Sequence, residues 1–182
     1  CDTVVTYDKE LKEILPSLAT EWSISDDGME YTFTIRDDVY FQPGEYQDGR
    51  LMTAEDVAYN MNRSAQESAM NRLDMLDHAE AIDETHVKAT LKAPSAVFLT
   101  ALTNAGNAIV PKEEVEGWGE EFGNHLVGTG PYAMEKFELD QQTTLKKNEK
   151  YFIGEPNLDT VIFKVITDAN QEVNALRTGD VD

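Results

Sequence analysis

The chain of 182 residues is poor in the residues that build covalent or metal-held frameworks. Cys1 is its only cysteine, which excludes an intramolecular disulfide and every metal site that needs several cysteines. The three histidines are His78, His86 and His125, and none has a second histidine at the spacing of a metal-ligand pair. We therefore expect surface or hydrogen-bonded histidines, and we predict no bound metal and no cofactor.

Basic residues and long apolar runs are scarce as well. There are 15 Lys and Arg against 35 Asp and Glu, and the resulting net charge of -20 repels nucleic acid and anionic lipid. We discount both as partners and interpret the charge mainly as a means to solubility, and only secondarily as an attraction for cationic peptides. The most apolar stretch, residues 96–102, is far shorter than the roughly 20 residues that span a bilayer. The start of the chain also lacks the pattern of a secretory signal.

No catalytic constellation is recognisable in the sequence. It has neither a Gly-x-Ser-x-Gly elbow nor a phosphate-binding Gly-x-x-x-x-Gly-Lys loop. Gly128-x-Gly130-x-x-Ala133 matches a dinucleotide motif formally, but Pro131 and a strand-like continuation exclude the helix that such a site needs. We interpret Gly128 and Gly130 as the place of a sharp bend between domains, and we predict that the protein is not an enzyme.

Two further groups of residues are interpreted as structural. Adjacent acidic residues are expected to be turn formers and solvated charges, because neighbouring side chains on a strand point to opposite faces. These pairs are Asp26–Asp27, Asp37–Asp38, Glu113–Glu114 and Glu120–Glu121. Aromatic residues are expected to belong to a core and not to stacking platforms; they are Tyr31, Phe33, Tyr40, Phe41 and Trp118.

Strand-like segments outnumber helical ones along the chain, so the pattern predicts an α+β or mixed α/β fold. The predicted strands are residues 3–7, 21–25, 29–36, 79–82, 86–91, 108–110, 132–138, 143–147 and 160–166. Helices are predicted from Thr53, from Pro94, and over residues 112–117 and 169–178. Residues 8–16 are predicted to be a turn and an irregular stretch, and residues 66–77 a helix that breaks into a loop.

Capping signals support two of these helices. The hydroxyl of Thr53 is expected to accept a hydrogen bond from the backbone N–H of Asp56, and Glu55 and Asp56 place negative charge at the positive end of the helix dipole. Asp168 is predicted to cap the last helix, which Gly179 closes.

Three blocks of sequence are distinctive as an ordered set. They are LATEWSISDDGMEYTFTIR at residues 18–36, DGRLMTAEDV at 48–57 and VGTGPY at 127–132. In this order they resemble the extracellular solute-binding proteins that deliver oligopeptides, dipeptides or nickel to ABC importers. The likeness continues through residues 151–159 and 168–170, so it covers nearly the whole chain.

The resemblance implies a fold like that of the type II periplasmic binding proteins, in which two lobes close on a solute. It implies that residues 1–124 form a small inserted α/β domain and that residues 125–182 form part of the first ligand-binding lobe. The third block lies near the ligand cleft in this family, so the resemblance implies that Gly128, Thr129 and Gly130 contact the ligand.

The implied function is capture of di- or oligopeptides outside the cytoplasmic membrane and their delivery to the permease of an ABC importer. The protein is expected to be a monomer without a membrane span. It is expected in the periplasm or at the extracellular face of the membrane, lipid-anchored in its full-length form. A nickel-chelate or other small-solute receptor of the same family and a protein-interaction module stay open as alternatives, and a hydrolase ranks below them.

Members of this family are much longer, so the resemblance implies that the chain is a fragment. In peptide-binding members, much of the pocket and the charged clamps for the peptide termini come from the second lobe. We therefore expect these residues alone to bind peptide weakly or not at all. Cys1 is interpreted as an ordinary residue and not as a lipid-bearing one, because the strand-like residues 3–7 follow it without a flexible tether.

Overall fold

A computed structural model describes residues 1–67 and 73–182, and its strands form three antiparallel sheets. The strands are β1 (Val5–Tyr7), β2 (Ile14–Pro16), β3 (Ala19–Ile24), β4 (Glu30–Ile35), β5 (Leu76–Ala81), β6 (His86–Leu91), β7 (Tyr132–Glu138), β8 (Gln142–Lys147) and β9 (Thr160–Lys164). The helices are α1 (Ala54–Glu67), α2 (Phe98–Leu102), α3 (Lys112–Trp118) and α4 (Ala169–Thr178), with 3-10 turns at Ala105–Asn107 and Gly119–Asn124. This mixture of strands and helices confirms the predicted mixed class.

The main core lies between α1 and a four-stranded sheet of order β3-β4-β6-β5, which we call the first sheet. Strand β4 buries Tyr31, Phe33 and Ile35 and turns the intervening threonines outward, as the alternation in the sequence predicts. Helix α1 packs on β5 and β6 through an apolar face that includes Val57 and Met61. Burying each large side chain of this kind contributes about 1.5–3 kcal/mol.

Strand β1 confirms the strand predicted at residues 3–7, but it pairs with β2, which lies in the stretch predicted to be a turn and irregular. The side chain of Asp8 turns the chain, because its Oδ1 accepts hydrogen bonds from the backbone N–H groups of Lys12 and Glu13 at 2.6 and 3.1 Å. Leu11 takes a positive φ of 57° in this turn. The prediction was wrong for β2 because a three-residue strand that ends at Pro16 carries no alternation to detect.

Two other sequence predictions need correction. Residues 108–110 are buried at Ile109 and Val110, but they pair with no strand in the described part of the chain. The N–H of Ile109 instead donates to the carbonyl of Asp2 at 2.9 Å. Helix α2 starts at Phe98 and not at Pro94. The ambiguous stretch 66–77 lies partly outside the described residues, and its last two residues begin β5.

A three-stranded sheet of order β7-β8-β9, which we call the second sheet, precedes α4. Asp168 caps α4 by accepting from the N–H groups of Asn170 and Gln171, both at 2.9 Å, and Gly179 ends it in the left-handed conformation at φ 76°. Both caps were predicted. No residue after Gly130 is buried in the structure. Among the described residues, no helix is long and apolar enough to cross a lipid bilayer.

Candidate functional site

The segment Gly128–Gly130 connects the 3-10 turn after α3 to strand β7, and all three residues are buried. The side chain of Thr129 points away from solvent and is only 1% exposed. Its hydroxyl donates to Oδ2 of Asp2 at 2.8 Å and accepts from the N–H of Asp2 at 3.3 Å. The structure therefore places the predicted site residues inside a contact between distant parts of the chain.

The chain bends at Thr129 and Gly130, but neither glycine of this segment takes a positive φ. Because these glycines have no side chain, Cys1 can pack directly against their backbone. A Cβ on Gly128 would lie 2.2 Å from Sγ of Cys1, and one on Gly130 would lie 2.6 Å from the backbone nitrogen of Cys1. The physical reason for glycine here is the space that Cys1 occupies, and not the freedom of a hinge.

Gln42 holds this segment from the other side. Its backbone N–H donates to the carbonyl of Gly128 at 2.8 Å, and its side-chain Nε2 donates to the carbonyls of Gly130 at 2.8 Å and Tyr132 at 2.9 Å. Its Oε1 accepts from the N–H of Gly128 at 3.4 Å. Gln42 is only 6% exposed, so these bonds replace the water that its amide would otherwise bind.

Two residues of the segment between β8 and β9 complete this network. Asn148 donates from Nδ2 to the carbonyl of Gly130 at 3.0 Å, and Tyr151 donates from its hydroxyl to Oδ1 of Asp2 at 3.0 Å. Burial, reinforced by the negative charge of Asp2, raises the pKa of Tyr151 well above its usual range. We call the set Asp2, Gln42, Thr129, Asn148 and Tyr151 the joint.

Beside the joint, a buried carboxylate organises the loop before Arg50. Glu114 is fully buried, and its Oε1 accepts from the backbone N–H groups of Tyr46 at 2.6 Å and Gln47 at 3.1 Å. Its Oε2 accepts from Nε1 of Trp118 at 3.1 Å. Gly44 lies against the same carboxylate, where a Cβ would be 2.2 Å from Oε1. The prediction of a solvated charge was wrong for Glu114, because three N–H groups take the place of water.

Trp118 also differs from its prediction. Its ring is half-buried and lies parallel to the ring of His125, with centroids 3.5 Å apart and an interplanar angle of 3°. The ring of Tyr46 meets it edge-on at 5.5 Å. Trp118 is thus a stacking surface at the edge of a small cluster, whereas Tyr31, Phe33 and Phe41 belong to the main core. Tyr40 is 45% exposed and is not a core residue.

Arg50 ties the start of α1 to α3. Its guanidinium forms paired hydrogen bonds with Asp56, at 2.7 and 2.6 Å, and with Glu113, at 2.7 and 2.8 Å. The hydrogen bond from Arg50 lowers the pKa of Glu113. The expected cap at Thr53 is reversed, since the Thr53 hydroxyl and N–H both donate to Oδ2 of Asp56. The carboxylate that Arg50 orients is the better acceptor at this position.

Three open clefts have volumes of about 400, 300 and 270 Å³, and of the three only the second is lined by residues of the joint, Gln42 and Asn148. The largest lies between α3 and β7 and includes Trp118, His125, Leu126, Met134 and Phe137. Neither Gly128, Thr129 nor Gly130 lines any of the three. Ligand contact by these three residues therefore stays a prediction.

The described residues contain no cluster of three His, Cys, Asp or Glu side chains that could hold a metal ion. His78 contacts Asp77 through Nδ1 at 2.8 Å, and His86 contacts Asp83 at 2.9 Å. Hydrogen bonds from the backbone N–H of Thr85 and from His86 lower the pKa of Asp83 to about 2. The histidines are thus hydrogen-bonded or stacked, as the sequence predicts.

Gln42, Asn148 and Glu114 were not predicted as site residues. Gln42 and Asn148 lie in loops, where polar residues are ordinary, so no local pattern distinguishes them. Glu114 carried a weak signal, because Trp118 follows it at the helical spacing of four residues and presents an indole N–H to the same face.

Over residues 13–182 the chain matches the middle region of the bacterial extracellular solute-binding proteins, family 5. Because this match covers most of its length, the chain belongs to that family. The family and the relatives described below are binding proteins, which confirms that this is not an enzyme.

Individual relatives support this membership. The glutathione-binding protein GsiB of Salmonella paratyphi A is 33% identical over an alignment of 178 residues that covers 95% of this chain and 34% of that protein. The periplasmic binding protein DppA of Helicobacter pylori, solved with the peptide STSA, superposes with a TM-score of 0.85 at 30% identity, over 99% of this chain and 39% of that one. NikZ of Campylobacter jejuni, solved with Ni(L-His), gives a TM-score of 0.88 at 27% identity, over 99% and 36%.

These likenesses confirm the predicted type II periplasmic-binding-protein fold. The chain spans about a third of the length of the relatives it matches.

Proposed function

We propose that this chain is part of a receptor that captures di- or oligopeptides outside the cytoplasmic membrane and delivers them to the permease of an ABC importer. The observation that carries the proposal is the superposition on DppA, a binding protein solved with a bound peptide, over 99% of the chain. The relationship to a glutathione-binding protein supports the same class of solute, because glutathione is itself a small peptide.

The second candidate is a nickel-chelate receptor, and the likeness to NikZ with Ni(L-His) favours it. Peptide ranks first because two of the relatives, GsiB and DppA, are described with glutathione and with a peptide, although the described residues also contain no metal-ligand cluster. A chelate whose ligands come from free histidine does not need such a cluster, so both candidates belong in one experiment.

We further propose that the receptor works in the periplasm or at the outer face of the membrane, as a monomer, with a lipid anchor in its full-length form. Residues 1–124 would be the inserted α/β domain and residues 125–182 part of the first lobe. Ligand contact by Gly128, Thr129 and Gly130 rests on the resemblance alone, since all three are buried and the Thr129 hydroxyl is bonded to Asp2.

Enclosing a solute requires surface beyond these residues, because the three clefts described above are open. Isothermal titration calorimetry tests both parts of the proposal. Di- to pentapeptides, glutathione and the nickel–histidine complex are titrated into this chain and into the longest natural polypeptide that contains it. We expect micromolar or tighter peptide binding to the long form, and weak or no binding to the chain alone.

Two outcomes would contradict the proposal. Tight binding of nickel–histidine, with no response to any peptide, would replace the peptide receptor with the chelate receptor. Micromolar binding of a peptide to the 182-residue chain would show that these residues enclose the solute by themselves.

A further inference from the structure

The geometry points to Gln42 as a positioning residue: we propose that its side-chain amide locks the first and second sheets into one rigid body. Segment Gly128–Gly130 is then a fixed connection and not a hinge. The inference concerns motion within the chain and does not depend on which solute the receptor takes.

The side-chain amide of Gln42 is hydrogen-bonded through both its nitrogen and its oxygen. Both protons of Nε2 have acceptors, the carbonyls of Gly130 and Tyr132, and Oε1 accepts from the N–H of Gly128. These partners are 86 to 90 residues away in sequence. A buried amide with all of its partners in place has one low-energy orientation, because any rotation leaves a donor or acceptor without water or protein.

The other residues of the joint hold the same segment from different directions. The carbonyl of Gly130 accepts from Asn148 as well as from Gln42. Asp2 holds Thr129 and Tyr151 together through its two carboxylate oxygens. A hinge needs backbone groups that can exchange partners at low cost, and here Gln42, Asp2 and Asn148 would have to release their partners together.

Little apolar packing joins the two sheets. In the described residues, Phe152 is the one apolar side chain after Gly130 that packs against the main core. The guanidinium of Arg36 lies over its ring at 4.9 Å. With so little buried apolar surface to fix the relative orientation, we assign that role to the hydrogen bonds of the joint, and above all to those of Gln42.

Pulsed electron paramagnetic resonance measures the consequence directly. Spin labels on cysteines at Asp26, in the turn between β3 and β4, and Lys164, on β9, report the distance between the sheets in a Cys1→Ser background. Both label positions are exposed. We expect a single narrow distance distribution for the unaltered joint, and a distribution at least about twice as wide for Gln42→Leu, which keeps the size but removes both donors. Gln141→Leu is the matched control at an exposed position and leaves the width unchanged.

Hydrogen exchange provides the second readout. The N–H of Gly128 is expected to exchange at least about tenfold faster in Gln42→Leu, while the amides of β4 and β6 keep their rates. Uniform acceleration in every strand would mean that Gln42 only stabilises the fold, and a distance distribution that stays narrow in Gln42→Leu would overturn the inference.

Two milder variants cover the case in which Gln42→Leu does not fold. Asn148→Ala removes one of the two donors to Gly130, and Tyr151→Phe removes one hydrogen bond to Asp2. Each variant is expected to leave the distance distribution narrow, because Gln42 still holds the segment. The double variant Asn148→Ala/Tyr151→Phe is expected to leave it narrow for the same reason. Broadening in either single variant would show that Gln42 is not the principal lock.

Discussion

In the first sheet, Phe33, Val87 and Leu91 are at most 1% exposed, whereas in the second sheet Ile162 and Phe163 are 56% and 61% exposed. The β4–β6 pair of the first sheet and the β8–β9 pair of the second both have a regular antiparallel register, and the two sheets have similar strand lengths. They differ in what covers them, since α1 packs on the first sheet and no described helix packs in the same way on the second. Regular hydrogen bonding therefore does not by itself show that a sheet has a core.

The register shows what the second sheet exposes. Thr143 on β8 is opposite both Phe137 and Phe163, so these two rings lie on one face of the sheet. Exposed apolar side chains grouped on one face mark a contact surface more often than a solvated one. Ladder hydrogen bonds and the joint hold this part of the chain, whereas the first sheet is held by burial.

The largest expected effect tests burial in the two sheets with the same substitution. Phe33→Ala removes a fully buried ring and should lower the free energy of unfolding by about 3–5 kcal/mol. Phe163→Ala removes a ring that is mostly in water and should cost below about 1 kcal/mol. Urea denaturation monitored by circular dichroism measures both values. Equal losses would mean that the second sheet has a core of its own.

The next effect concerns the buried carboxylate between the two regions. Glu114→Ala leaves three N–H groups without an acceptor and should lower the free energy of unfolding by about 2–4 kcal/mol. Glu116→Ala, two positions along the same helix, removes only an exposed pair with Lys112 and should cost below about 0.5 kcal/mol. Thermal unfolding of the two variants gives the comparison, and a Glu114→Ala protein as stable as Glu116→Ala would contradict it.

A smaller effect distinguishes the two glycines that connect the regions. Gly130→Ala places a methyl group 2.6 Å from the backbone nitrogen of Cys1, which has no rotamer to adopt, and should cost about 1–3 kcal/mol. Gly128→Ala meets the movable Sγ of Cys1 first and should cost less. Adding Cys1→Gly removes the side chain that the Gly128→Ala methyl meets, so it should restore the stability lost in Gly128→Ala. It should not restore the stability lost in Gly130→Ala, because that methyl meets the backbone of residue 1. A rescue of both, or of neither, in thermal unfolding would disprove this account of the two contacts.

The smallest effect is electrostatic and contrasts one carboxylate from each region. Asp83 has its pKa lowered from 3.8 to about 2, mainly by the backbone N–H of Thr85, and Glu138 has its pKa lowered by Lys136. In each case the folded-state pKa lies below the unfolded one. The stabilisation is therefore present above the unfolded pKa and lost on acidification through the folded pKa, for Asp83 between pH 3.8 and about 2.

Salt distinguishes the backbone hydrogen bond that lowers the pKa of Asp83 from the ion pair that lowers the pKa of Glu138. At 1 M salt the Debye length is about 3 Å, so the pKa of Glu138 should move back toward its usual range while that of Asp83 stays near 2. Nuclear magnetic resonance titration of the two carboxyl carbons at low and high salt measures this. A salt-dependent pKa for Asp83 would show that His86, and not the backbone, dominates its environment.

Most strands and helices could be predicted because their causes are local. The alternation of Tyr31, Phe33 and Ile35 with threonines predicted β4, and the Asp168 and Gly179 caps predicted the ends of α4. Strand β2 was missed because its pairing with β1 depends on a turn that the side chain of Asp8 holds. Residues 108–110 were predicted as a strand because buried apolar runs look alike whether or not they pair.

The site was less predictable, because its contacts join residues that are far apart in sequence. The resemblance identified segment Gly128–Gly130, but the reason for its glycines appears only when Cys1 lies against it. Gln42 looked like an ordinary loop residue until its amide was seen to bind three backbone groups.

The amino-acid sequence by itself determined the mixed class, the hairpins, the two caps of α4 and the family, since each depends on residue types at short spacing or in a fixed order. Tertiary structure alone decided which carboxylates are solvated, which sheet has a core, and what holds Gly128–Gly130. Those outcomes depend on which distant groups replace water around each side chain, and a linear pattern does not contain that information.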